Sequence, residues 1–266
     1  MPFTLAHPAV VVPLAHRFPR HLVLSALVVG SMSPDFEYFV SLRPVRTISH
    51  DLIGIPLLCV PSGLMLLWLF EHVVKRPMAL LLPRALRVRL LPYCDPIAFL
   101  PAGRLLAIVG SLAIGAFTHI AWDSLTHENG WVVERWSLLS ATLVPGLRVF
   151  KALQHGSTLI GLALLAAWSS KWILAQGAGE DPPGPLMPDR LRLGVVSALM
   201  LVACIAGVAT ALRAGPIGIY ALIVRAVIAS LSSSCVAALT YGAAYRTYEL
   251  RTRPAHRPGE ATRTPI

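Results

Sequence analysis

The stretch GAFTHIAWDSLTHENGW, residues 115–131, decides the reading of this chain. It closes an apolar run that starts at Leu105, yet it carries His119, Asp123 and His127 at intervals of four. In an α-helix a step of four residues turns about 400°, so the three side chains form one stripe, each a turn above the last. An aspartate near the middle of a bilayer costs roughly 2.5–3.5 kcal/mol on insertion scales. A membrane helix that keeps such a stripe needs something to compensate it.

Outward from that stretch, the composition is that of a membrane protein. The 266 residues are 55% hydrophobic and 14% charged, with a mean hydropathy of +0.66, whereas soluble domains carry about 25% charged residues. The net charge of +10 invites a nucleic-acid reading. The basic residues fall between apolar runs, however, which is the pattern of membrane topology, and no nucleic acid is expected as a partner. Five runs are long enough to span: Leu52–Phe70, Leu105–Trp122, Ser157–Trp172, Leu193–Leu212 and Pro216–Leu239. Arg225 interrupts the last of these and reads as snorkelling to the interface or as facing a polar seam. Leu22–Met32 is short for a span and reads as a short or re-entrant helix.

The expected fold is therefore all-α, a polytopic integral membrane bundle of about five to six transmembrane helices. Residues 1–175 form a helical membrane domain that carries the stripe, and 176–192 a Pro/Gly-rich loop. Residues 193–245 form a C-terminal pair of transmembrane helices, and 246–266 a disordered basic tail. The four cysteines show neither a disulfide framework nor a CxxC pair and read as small hydrophobes. The N-terminus does not read as a cleaved signal peptide, because its first arginine is Arg17 and its apolar stretch is short.

Loop charge orients the bundle. Six basic residues lie in 71–104, five in the tail from Arg246, three in 171–192, and Arg17 and Arg20 near the N-terminus. The opposite side has six, so the asymmetry is sixteen to six. The large basic loop and the C-terminus then face the cytoplasm of the bacterial inner (cell) membrane, and the stripe lies toward the external side.

On that external side other polar residues gather at the ends of the apolar runs. Asp35 follows the short helix in GSMSPDFEYF, His50 opens a run in ISHDLIG, and His155 opens another in LQHGSTLIG. With His119 and Asp123 they make three histidines and two carboxylates at one depth, a donor set that suits zinc and, less well, manganese or iron. His7, in FTLAHPAV, joins only if the N-terminal segment folds back to that face. Each also has a plainer reading: the histidines as interhelical hydrogen-bonders, Asp35 as a helix cap. His127 lies one turn nearer to water and reads as bracing the ligands, while Glu128 and Glu134 follow the stripe and are candidates for proton transfer.

The blocks MPFTLAHPA, LSALVVGSMSPDFEYF, SHDLIG, THIAWDSLTHENGW and LQHGSTLIG resemble the bacterial membrane family known as domain of unknown function 4184, from residue 1 to about 170. More distantly, they are similar to membrane-bound metal-dependent hydrolases and to zinc-dependent phospholipase C. That likeness implies an all-helical fold with His and Asp ligands, including the His-x₃-Asp of His119 and Asp123. His50, Asp35 and His155 would be their companions.

Two functions follow. One is a membrane-embedded, metal-dependent hydrolase of a lipid or lipid-linked phosphoester at the outer interface, using a metal-activated water. The alternative is a non-catalytic multi-span protein with a metal-binding, transport or structural role. A conduit needs polar residues continuing toward the cytoplasm, and below His119 the run offers only Ser111. That favours a site on one side.

The charge count makes a direct prediction. A topology reporter fused after Arg251 should read as cytoplasmic and one near Ser140 as external. Identical readings at the two positions would mean that the number of spans is wrong by one.

Overall fold

The computed structural model describes residues 3–44, 47–181, 187–215 and 217–252. It is 79% helical, and its only sheet among the described residues is a two-stranded hairpin, so the all-α bundle expected from the sequence is what forms. Five helical stretches are long and apolar enough to cross a membrane. They are α3 (Ile55–Leu80), α4 (Ala102–Thr126, continuing the stretch to Arg135), α5 (Val149–Ala175), α6 (Asp189–Arg213) and α7 (Ile219–Thr252). Before them come two short helices, α1 (Pro8–Arg17) and α2 (Leu24–Met32).

At nine residues α2 is about 14 Å long, half of what a span needs. The chain enters through α1, turns at Phe18–Val23 and returns through α2, so the short apolar stretch is the second arm of a helical hairpin. This settles the count at five candidate spans.

The hairpin is held by backbone-to-backbone packing on α4. A Cβ on Gly30 would lie 2.3 Å from the carbonyl oxygen of Leu112, and one on Gly115 would lie 2.4 Å from that of Leu27. Small residues permit this approach, which in lipid replaces hydrophobic burial as the source of helix association. Two polar contacts set the register: Val23 N–H donates to Ser111 Oγ (2.9 Å), and His119 Nδ1 lies 2.7 Å from the Ser31 carbonyl. Both pairs are 88 positions apart, so α2 runs parallel to α4 without slipping.

The other boundaries differ from expectation in two places. The tail expected to be disordered from residue 246 is still helical to Thr252. Arg246 there donates to the His72 carbonyl (3.0 Å) and to Glu249 (3.1 Å), which ties the extension to α3. The remainder of that tail, 253–266, lies outside the described residues. The Pro/Gly-rich loop is shorter than expected, because α6 starts at Asp189, whose carboxylate pairs with Arg192 at 3.0 Å across the first turn. Residues 182–186 of that loop lie outside the described residues. Between α4 and α5, β1 (Thr142–Val144) pairs antiparallel with β2 (Leu147–Arg148). The turn between them needs Gly146, whose φ is +83°.

The α2–α4 contact predicts a sharp difference between glycines. Gly30→Ala forces two backbones apart and should cost about 1–3 kcal/mol in reversible unfolding in detergent. Gly110→Ala, where nothing lies within 4 Å, should cost nothing. Equal tolerance at both positions would contradict the packing.

Candidate metal centre

One end of each of α1, α2, α3 and α4 meets at one place. His7 precedes α1, Asp35 follows α2, His50 precedes α3, and His119 and Asp123 occupy the last turns of α4. Topology alone gathers them at one end of the bundle. The fold-back of the N-terminal segment, on which His7 depended, is the α1–α2 hairpin.

The donors approach closely. His50 Nε2 lies 3.3 Å from Asp35 Oδ1 and 3.7 Å from Asp123 Oδ2. His119 Nε2 lies 3.6 Å from each of those same two oxygens. Two histidines and two aspartates thus alternate around a closed ring. His7 stacks on the His119 ring, with centroids 3.7 Å apart, and its Nε2 sits 3.7 Å from the other oxygen of Asp123. Two overlapping sets have all their ligand atoms within 4.8 Å of one another: His7, His119 and Asp123, and Asp35, His50 and His119. Asp35 and His119 are fully buried, Asp123 and His7 nearly so.

Hydrogen bonds fix which nitrogens face inward. A carbonyl oxygen can only accept, so His119 Nδ1–H donates to Ser31 and Nε2 is the nitrogen that faces the carboxylates. Ser49 Oγ donates to Glu37 Oε2 (2.7 Å), which leaves it to accept from His50 Nδ1–H (3.0 Å). His50 Nε2 therefore points the same way, with Tyr38 Oη 3.3 Å off. Thr4 Oγ1 donates to Asp35 Oδ2 at 2.7 Å and leaves Oδ1 for the ring. His7 Nε2, His119 Nε2 and Asp35 Oδ1 are buried and make no hydrogen bond among the described residues.

Burial, with His119 beside it, pushes His7 down to about 3. Its imidazole is then neutral at physiological pH, the form that ligates a metal. Burial alone would raise the Asp35 carboxyl, but His119 and His50 beside it hold it well below the usual carboxylate range. It stays ionised.

Outside the ring, His127 is the C-cap of α4. Its Nδ1 lies 3.0 Å from the Asp123 carbonyl and 3.5 Å from Asp123 Oδ1. A chain continues from it: Lys151 Nζ donates to Gln154 Oε1 (2.8 Å), so Gln154 Nε2 faces His127 Nε2 at 3.4 Å.

Three expected site residues do not come to the centre. His155 is exposed and belongs to neither ligand set, because the helix phase of α5 turns its fully buried neighbour Gln154 inward instead. Successive helical residues point about 100° apart, so both cannot face the centre. Glu128 is exposed and pairs with Arg148 at 3.3 Å, and Glu134 is exposed on the short helix Trp131–Arg135. Both lie beyond the end of α4, where the stripe has already left the buried face. Thr4, Ser31, Tyr38, Ser49 and Gln154 are the residues that sequence reasoning missed. Only Ser49 had a signal, its place beside His50.

A cavity of about 550 Å³ opens beside the centre, between α5 and α7. Thr4, Tyr38 and His127 line it, each of which touches a ring member, and so do Lys151 and His155.

No curated protein and no solved structure matches the chain. The distant likeness to hydrolases therefore has no support from those comparisons. The family likeness is supported by a family model, and it reaches past residue 170 through α6 and most of α7. Residues 1–243 match the family described as Domain of unknown function (DUF4184), and the chain belongs to that family.

Proposed function

We propose that this protein is a membrane-embedded metal protein whose centre holds one divalent ion, zinc first among the candidates, and that it hydrolyses a phosphoester carried by a lipid. The observation that carries the metal reading is the ring of two inward histidine lone pairs and two carboxylates. Its sides of 3.3–3.7 Å are too long for charge-assisted hydrogen bonds, which run about 2.7–2.9 Å. They fit the edges of a coordination shell. A point inside the ring lies about 2.2 Å from each donor if the ring puckers toward a tetrahedron and about 2.5 Å if it is flat, against 2.0–2.2 Å for Zn–N and Zn–O bonds.

The number of ions follows from His119. It belongs to both ligand sets, its Nδ1 is held by Ser31, and Nε2 has a single lone pair. One lone pair serves one ion. His7 is then a fifth donor against Asp123, and His127 braces that same carboxylate.

Hydrolysis needs more than binding. When bound, the ion supplies Lewis acidity and a water acidic enough to attack at neutral pH. The chain's own residues would supply access and order. The cavity borders the ring at Thr4, Tyr38 and His127, which gives a substrate an approach on that side. His127 stands beside Asp123 and in the cavity, in the place once assigned to Glu128 and Glu134, and is positioned to carry a proton. The enclosed burial of Asp35 and His119 supports a second, non-catalytic reading, in which the ion only locks four chain segments together. The loop-charge asymmetry of sixteen to six supports an external position for the centre in the bacterial inner membrane.

Metal analysis of the purified protein separates these readings from an empty site. About one divalent ion per chain is expected, with Asp123→Asn and His119→Ala lowering the content at least about tenfold. His155→Ala should leave it unchanged. Turnover of a lipid phosphomonoester that falls with Asp123→Asn would select the hydrolase, and bound metal without turnover the structural role. A metal-free wild type would end both.

A further inference from the structure

The cavity beside the metal centre carries a feature that the ring does not use. Arg225 lies within the apolar stretch of α7 and lines this cavity with Lys151 and His155. No carboxylate lines it among the described residues, and Arg225 makes neither an ion pair nor a hydrogen bond among them. Lys151 is committed to Gln154 and sits over the rings of Phe150 and Tyr220. An arginine in a membrane helix is costly and is normally matched by a partner or drawn to water. Here two cationic side chains and an imidazole line one cavity whose described lining has no carboxylate.

The rest of the wall is apolar. Ile223, Val224, Val227, Ile228 and Leu231 of α7 line it along one side. A ligand that satisfies both parts has a compact anion at one end and hydrocarbon at the other. The guanidinium fork matches the oxygens of a phosphate bidentately.

We infer that this cavity is the binding site for the phosphate group of a phospholipid, with Arg225, Lys151 and His155 on the phosphate and the α7 wall along the acyl chain. His155 thus has a role as an anion ligand and not as a metal ligand. The pocket gives the hydrolase reading its substrate class and rests on that reading for the claim that the bound phosphate is the one cleaved. Thr4, Tyr38 and His127 form the border shared by pocket and ring, so a headgroup held in the pocket lies beside the ion site.

The test is a lipid-dependent thermal shift on the full chain in detergent. The probes are dioleoyl phosphatidic acid, dioleoyl phosphatidylcholine and inorganic phosphate, each with wild type, Arg225→Gln, Arg225→Lys and Asp123→Asn. Phosphatidic acid should raise the wild-type melting temperature in a saturable way. Arg225→Gln should weaken that binding at least tenfold while keeping wild-type metal content, which shows that it is folded. Arg225→Lys, which keeps the charge and loses the fork, should bind between wild type and Arg225→Gln. Unaltered binding to Arg225→Gln would overturn the pocket. So would inorganic phosphate that shifts the protein as strongly as the lipid does, because the acyl wall would then add nothing. The metal reading fails separately: a metal-free wild type that still binds phosphatidic acid through Arg225 keeps the pocket and loses the hydrolase. A metal-loaded wild type indifferent to Arg225→Gln does the reverse.

Discussion

The hydrogen bond between His119 Nδ1 and the Ser31 carbonyl is the contact on which the centre depends. It commits the outer nitrogen as a donor, so the inner one is the nitrogen that faces Asp35 and Asp123. That geometry exists because α2 lies directly on the α4 backbone, and α2 does so because Gly30 and Gly115 have no side chains to hold them apart. Two glycines thus set the position of an imidazole, and the imidazole sets the polarity of the ring. Val23 and Ser111 keep the same register eight residues lower.

The energetic logic is that of charge in a medium with little water. Two ionised carboxylates a few ångströms from histidine lone pairs, all buried, would be strongly repulsive if nothing lay between them. Protons could relieve this, one on each inner nitrogen, but donor and acceptor would then close to normal hydrogen-bond length. The four sides of the ring stay open by about half an ångström or more. A divalent ion neutralises both carboxylates and occupies both lone pairs at once. The outer hydrogen bonds, donated by Thr4 and accepted by Ser31 and Ser49, belong to the same scheme, since each fixes one ligand's orientation from behind.

Much of this was legible from residue order, and the parts that were not share a cause. Five long apolar runs and a stripe at intervals of four are strong local signals, so the spans and the pair His119 and Asp123 followed from them. Asp35 and His50 were found because they end or begin an apolar run, where a polar residue is conspicuous. His155 met the same criterion and was misplaced, because position at a helix mouth does not give rotational phase, and one residue of phase exchanged it for Gln154. The α1 arm went unread, since Pro13 and a length of ten residues hide a helix that exists only by packing against α2. Ser31 contributes a backbone carbonyl, which no side-chain pattern can reveal. The four-residue spacing carries on past Asp123 to His127, but helix α4 stops at Thr126, so the stripe fades where Glu128 was expected to extend it.

The central claim, one ion inside a ring of two histidines and two aspartates, is tested most directly by X-ray absorption at the metal edge of the purified protein. The account predicts four or five nitrogen and oxygen scatterers at about 2.0–2.2 Å, with outer-shell scattering from two or three imidazoles and no sulfur. An edge signal no stronger than that of the buffer would contradict it. So would sulfur at about 2.3 Å, because every cysteine lies outside the ring.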